Sequence, residues 1–246
     1  MSESIYEGPY WRSNGSITIA NQSMEELFYY LGKWQLLKED RLTTEERYIN
    51  WKLPIEEDDK MNDFLISFNH IPFASHAKSK SHIIMLMCAI YIEDTINKFL
   101  VFNINESIVN SIERMNSLQK MEIATAILNE KGFKGTHVYT GLKFIVDWRN
   151  QFAHGKMADM LKQESLRKTH VEHEPAEYPT LKNEIESLIK TIQYTDDVHK
   201  YIQKISIHKY TKWGSADLGQ LVKNNKQLKK FYERYIKNMR KIDELC

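Results

Sequence analysis

An all-α fold is what this sequence predicts: a helical bundle with an N-terminal extension and a basic C-terminal helix. Three observations carry that expectation. The 246 residues include only 9 glycines and 5 prolines, which favours long regular segments over many short strands joined by turns. Apolar residues recur at helical spacing through four stretches of the middle and later chain. Hydrophobic residues make up 42% and charged residues 27%, an ordinary balance for a globular protein with a real core.

The elements follow in order. Residues 1–75 read as an extension of short elements. Ser16-Ile17-Thr18-Ile19 alternates like a short strand. Ser23 with Glu26 reads as a capping-box start, continued by Leu27, Leu31 and Trp34, and Thr43 with Glu46 repeats the signal before Tyr48 and Trp51, with Pro54 closing the segment. The polar stretch Ser75 to Ser81 reads as a linker into a bundle over 76–205. There, His82 to Phe102 is apolar almost all round a helix, which implies burial among other helices. Asp94 and Lys98 are spaced for one surface pair. Leu118, Met121, Ile123, Ala124, Ile127 and Leu128 mark a second helix, ended by Gly132. Val138, Leu142, Ile145 and Phe152 mark a third. Pro175 and Pro179 interrupt the chain before Leu181, Ile185, Leu188 and Ile192 restart it. Four such helices with short connections make a bundle. Residues 206–246 form the last segment, where eight lysines and arginines between Lys223 and Lys241 face one acid, Glu233. Leu228, Phe231, Tyr235, Met239 and Ile242 run through it as an apolar stripe. A basic amphipathic helix results, one face for packing and the other for solvent or phosphates.

The composition narrows the function classes. A formal net charge of +1 makes any nucleic-acid surface a local patch. Only two cysteines, one inside an apolar run and one last in the sequence, argue for a reducing compartment. The first residues lack the basic and apolar regions of a secretory signal, and the longest apolar run, Ile83 to Ile92, is too short to span a bilayer. A cytoplasmic protein with no membrane partner is the expectation. No glycine-rich phosphate loop and no Gly-x-Ser-x-Gly elbow occur. The acidic run Glu56 to Asp59 reads as a solvated face. His170 and His173 lack the further ligands of a zinc pattern, so neither a metal nor another cofactor is expected.

The stretch with chemical content is Asp147-Trp148-Arg149-Asn150-Gln151-Phe152-Ala153-His154-Gly155. Arginine stays cationic while histidine exchanges a proton near neutral pH, so the pair can hold a phosphate and cleave beside it. Spacing alone is weak: with eight arginines and 9 histidines, Arg167 and His173 match as well, but in a polar stretch running into Pro175. In a helix Asn150 and His154 share a face, whereas Arg149 needs its long arm to converge on a common ligand. Gly155 suggests close approach of another backbone or a local bend. Lys143 and Lys156 extend a phosphate-binding rim, and Lys229, Lys230 and Arg234 are the further RNA-binding candidates.

Arg149-Asn150-Gln151-Phe152-Ala153-His154-Gly155 resembles the signature of HEPN domains, in which an arginine, usually followed by a polar residue, precedes a histidine by a short gap. The preceding order of a buried first helix, a second helix, and a third ending in the signature also fits, over roughly residues 79–205. The resemblance implies an all-α bundle that dimerises around the motif helix and commonly cleaves RNA without metal, in toxins, abortive-infection proteins and antiviral effectors. It places Arg149, Asn150 and His154 at the catalytic site. Lys156 stands where toxins of this kind paired with a nucleotidyltransferase antitoxin carry a tyrosine, so that form of control does not carry over, although another regulatory protein or antitoxin is compatible. Cleavage through the 2′-hydroxyl needs a base, an acid and positive charge on the phosphate, and a homodimer would supply two imidazoles and two guanidiniums. A non-catalytic member of the same fold, binding RNA or a protein, is the alternative expectation.

Overall fold

The apolar run Ile83 to Ile92 lies inside the longest of the described helices, and its burial organises the packing around it. The computed structural model describes residues 7–39, 41, 59–130, 132–153, 181–207 and 216–239. Among them the regular elements are α1 (Glu7–Lys38), α2 (Asp59–Asn103), α3 (Glu106–Ile112), α4 (Ser117–Ile127), α5 (His137–Ala153), α6 (Leu181–Ile205) and α7 (Ala216–Phe231). A 3₁₀ turn at Phe133–Gly135 and a π turn at Tyr232–Ile236 complete the set, and no strand occurs among the described residues. The all-α expectation holds.

On α2, Ile84, Met85, Cys88, Tyr91, Ile92, Ile96, Phe99 and Leu100 are buried. Each such large apolar side chain contributes roughly 1.5–3 kcal/mol relative to leaving it in water. They join one continuous core that runs from Ile17 on α1 to Ile236 after α7. No described helix is long and apolar enough to cross a membrane.

The contacts fix the directions of the helices. Tyr30 of α1 stacks on His76 of α2, and Glu26 pairs with Lys80, so these two run antiparallel. Helix α6 lies parallel to α2: His82 meets Glu184, Tyr91 meets His199, and Asn103 accepts from the Ile207 amide. Helix α5 runs antiparallel to α6, with His137 beside Asp197 and Gly141 against Tyr194. Helix α7 is also antiparallel to α6, through Asn225 to the Ile189 carbonyl and Tyr232 to Glu186. Its first turn is tied to α1 by Thr18 and Asn21, both donating to Asp217.

Several local expectations need correction. Residues 1–75 are not short elements where described: they hold the 32-residue α1 and the start of the 45-residue α2. The strand expected at Ser16–Ile19 is helix. Ile17 points into the core while Ile19 is 45% exposed, because Ile17, Ala20, Met24, Leu27, Leu31 and Trp34 keep helical spacing and outweigh a four-residue alternation. Ser23 therefore sits buried within α1 and starts nothing. The linker expected at Ser75–Ser81 is also helix. Ala74, Ala77 and Ser81 face inward at 3–4 spacing, and the polar residues between them are its outer face. The second helix ends before Gly132. Asn129 takes the left-handed conformation (φ 57°), and the Glu130 and Asn129 amides donate back to the Thr125 and Ala126 carbonyls, a Schellman closure. Asp94 is only 8% exposed, so it belongs to the buried side of α2 and not to the surface where its pairing was expected. Residues 154–180, between the third and fourth expected helices, lie outside the described residues. The Thr43/Glu46 signal, Glu56 to Asp58, His170, His173, Pro175 and Pro179 lie outside the described residues.

Helix α4 starts with a capping box. Asn116 Oδ1 accepts from the Gln119 amide at 3.0 Å, and Gln119 Oε1 accepts from the Asn116 amide at 3.3 Å. Its buried Lys120 donates to Asn97 on α2 at 2.8 Å, which locks α4 to the core helix. Asn116→Ala should lower stability by about 1 kcal/mol, read as a shift of the urea midpoint at unchanged slope.

Candidate functional site

Helix α5 carries Lys143, Arg149 and Asn150. Its amphipathic sequence dictates the placement: Leu142, Ile145 and Val146 are buried, which leaves Lys143 exposed and Arg149 and Asn150 half-buried at the edge. The Arg149 guanidinium reaches α2, where Nη2 lies 3.3 Å from Glu93 Oε2, and both side chains keep more than a third of their surface in water. Glu93 is a partner that no sequence pattern announced. The structure brings Arg149 and Asn150 to one helix end, while His154 and Lys156 lie outside the described residues.

A second constellation lies beside them. His82 Nε2 approaches Glu184 Oε2 at 2.7 Å, and Glu184 is only 5% exposed. That buried oxygen accepts no hydrogen bond. Glu184 occupies the first turn of α6, where the helix dipole favours a carboxylate. Trp148 and Phe152, one turn apart on α5, stack with centroids 5.1 Å apart and planes 9° from parallel. The His82 ring meets Phe152 edge-on at 5.3 Å, and Phe152 is 49% exposed. Trp148, Phe152, His82 and Glu184 thus share one shoulder of the molecule, where α5 ends and α6 begins, while the Arg149 guanidinium reaches along α2 to Glu93.

The cations of α7 approach the same level. Tyr232 donates to Glu186 at 3.2 Å, two residues after Glu184, so the C-terminal end of α7 lies next to the start of α6. Lys229, Lys230 and Arg234 are exposed there, and the Arg234 guanidinium sits over the Tyr235 ring at 5.1 Å. The inward stripe differs from the one expected. Leu228, Tyr232 and Ile236 are buried, while Phe231, Tyr235 and Met239 are only partly so. The π turn, closed by the Lys237 amide on the Tyr232 carbonyl, inserts a residue and rotates the rest of the segment.

No protein-family model matches this chain, and comparison with curated proteins and with solved structures returns no match. The site therefore stands on its own geometry. Among the described residues no group of three or more His, Cys, Asp or Glu is placed to hold a metal ion.

Away from the shoulder, a buried polar chain links α2 and α6. The Tyr91 hydroxyl is 2.8 Å from His199 Nδ1, and the Gln203 amide nitrogen is 2.7 Å from Nε2. With that amide donating to Nε2, the ring proton belongs on Nδ1, facing the Tyr91 oxygen. Burial pushes the Cys88 thiol up to about 12 and lowers the His199 pKa, with Lys98 and Lys200 adding to the drop and Asp196 opposing it. Cys88 is therefore an inert core residue. The sequence did carry a signal for this network: Thr195 and His199 interrupt the Ile185, Leu188, Ile192, Ile202 stripe on its inward side. A lowered folded pKa means the unfolded chain binds the proton more readily. The neutral ring's contribution is complete above about pH 6.5 and is lost as pH falls through the folded value, at up to about 1.4 kcal/mol per pH unit. Urea unfolding at pH 7.5 and 5.5 should show lower stability at the acid end, with a smaller drop in His199→Gln.

Proposed function

We propose that the protein is a metal-independent endoribonuclease that cleaves RNA through 2′-hydroxyl attack, at a site composed of the α5 ends of two copies. The observation that carries this reading is the placement of Arg149 and Asn150. Asn150 stands in the last turn of α5 and Arg149 immediately before it, both partly open to water, and His154 follows in the sequence just after the helix. Arg149 would clamp the scissile phosphate, Asn150 would orient the imidazole or a phosphate oxygen, and His154 from the two subunits would share the proton transfers. Lys143, Lys156, Lys229, Lys230 and Arg234 would add positive charge around the strand. The resemblance to HEPN domains further suggests a toxin or phage-defence effector, held in check by a regulatory protein.

The Glu93 carboxylate competes with phosphate for Arg149, and magnitudes decide whether it blocks the site. A pair so exposed is worth at most about 1 kcal/mol. Charge-assisted contacts to a phosphate are worth about 1.5–3 kcal/mol. The substrate wins, and Glu93 serves to hold the guanidinium in place beforehand. The same pair favours the second reading, a non-catalytic module binding RNA or a protein, if Arg149 stays tied to Glu93. The test is incubation of the purified protein with total RNA in excess chelator. Cleavage that persists supports the nuclease, and its absence at every protein concentration leaves the binding module.

A further inference from the structure

We propose that the shoulder is a binding subsite for single-stranded RNA, in which Trp148 and Phe152 stack a nucleobase and His82, held by Glu184, contacts the adjoining sugar–phosphate. This deepens the RNA reading of the same site by naming its substrate class and three residues that no motif assigned.

Four observations carry it. First, Trp148 and Phe152 form a near-parallel stack that is not sealed in the core, since Phe152 keeps half of its surface in water. Every base has a π face, so such a platform holds unpaired nucleotides with little regard to sequence, whereas a duplex hides those faces. Second, His82 is held against a carboxylate that is more than nine-tenths buried and whose Oε2 accepts no hydrogen bond. With Nε2 2.7 Å from the carboxylate, the other ring nitrogen is left for a ligand. His82 Nδ1 has no hydrogen-bond partner among the described residues. Third, the two features touch, because His82 packs edge-on to Phe152 and 6.0 Å from Trp148. Fourth, cations that could meet a phosphate stand at the same end of the molecule, interspersed with Asp147, Glu93, Glu186 and Glu233. Arg149 follows Trp148 on α5, and exposed Lys229, Lys230 and Arg234 stand at the end of α7 that Tyr232 ties to Glu186. The stack alone would suit any apolar partner, but the open nitrogen of His82 and the cations at the same end of the molecule favour a base joined to a phosphate.

The test is binding of the full chain to a fluorescent 2′-O-methyl single strand and to the matching duplex, neither of which can be cleaved by 2′-hydroxyl attack. Single strand should bind at least tenfold tighter than duplex. Phe152→Ala should weaken it about tenfold or more, while Phe152→Tyr retains binding. His82→Gln and Glu184→Gln should each weaken it severalfold. Binding should quench tryptophan fluorescence, and Trp148→Phe should remove most of that quench. Equal affinity for duplex, no binding of either form, or Phe152→Ala binding like wild type would each overturn the subsite. The outcome is independent of cleavage. A chain that binds in this way but fails to cut chelated RNA loses the nuclease and keeps the subsite, and a chain that cuts while Phe152→Ala binds normally loses the subsite alone.

Discussion

His154→Ala should reduce RNA cleavage by about 10²–10⁴-fold, the range contributed by a general acid–base group in place. Arg149→Ala should fall as far, and Arg149→Lys should recover little. A lysine keeps the charge but not the planar fork that grips two phosphate oxygens while bonding Glu93 at 3.3 Å. Asn150→Ala should be milder, since an orienting amide is not itself a proton carrier. Rates under single-turnover conditions, with thermal unfolding recorded on the same samples, separate lost chemistry from lost folding. Full activity in His154→Ala would remove the imidazole from the reaction.

Gly141→Ala should be the most damaging small change to the scaffold. A Cβ at this position would lie 2.6 Å from Tyr194 Cδ1, 2.7 Å from Cγ and 2.9 Å from Cβ. The ring cannot swing clear, because its own Cβ is part of the clash and the ring is packed against His137 and Phe144. Helices α5 and α6 must then separate. Alanine gains up to about 1 kcal/mol over glycine in helix propensity, but overpacking typically costs roughly 1–3 kcal/mol and here displaces two whole helices. A net loss of about 2 kcal/mol is expected, seen as a lower urea midpoint. The separation would also move Trp148 and Phe152 away from His82, so RNA binding should weaken in parallel. Unchanged stability in Gly141→Ala would show that α5 and α6 do not approach so closely.

The fold was legible through the strongest periodicities of the sequence. Val138, Leu142 and Ile145, or Leu181, Ile185, Leu188 and Ile192, repeat long enough that no local signal competes. Legibility failed where a short polar or alternating stretch outweighed a longer pattern. Ser75 to Ser81 looks like a linker only if Ala74, Ala77 and Ser81 are not seen as one inward face. Ser16 to Ile19 looks like a strand only if Ile17 is not joined to Ala20 and Met24. The C-terminal stripe was assigned one residue out of phase because it was not joined to Leu218 and Leu221, which with Asn225 and Leu228 put Tyr232 rather than Phe231 on the inward side. At the site, Arg149, Asn150 and the α7 cations were legible because charge and spacing within one segment announced them. Glu93, His82 and Glu184 were not. They come from helices far apart in sequence, and only the packing of α2 against α5 and α6 makes them neighbours. Even so, Glu184 left a trace, as a carboxylate beside the apolar positions Leu181, Ile185 and Leu188 where a solvated residue would not be expected.

On the proposed reading, the end of α5 cuts RNA with side chains alone. The most direct measurement is the chemistry of the ends left on a defined single-stranded oligonucleotide, in chelator, at neutral pH. The expected fragments end in a 2′,3′-cyclic phosphate, are formed by wild type, and are abolished by a single 2′-deoxy substitution at the cut and by Arg149→Ala. Fragments carrying a 5′-phosphate, formed only when divalent metal is restored, would contradict it.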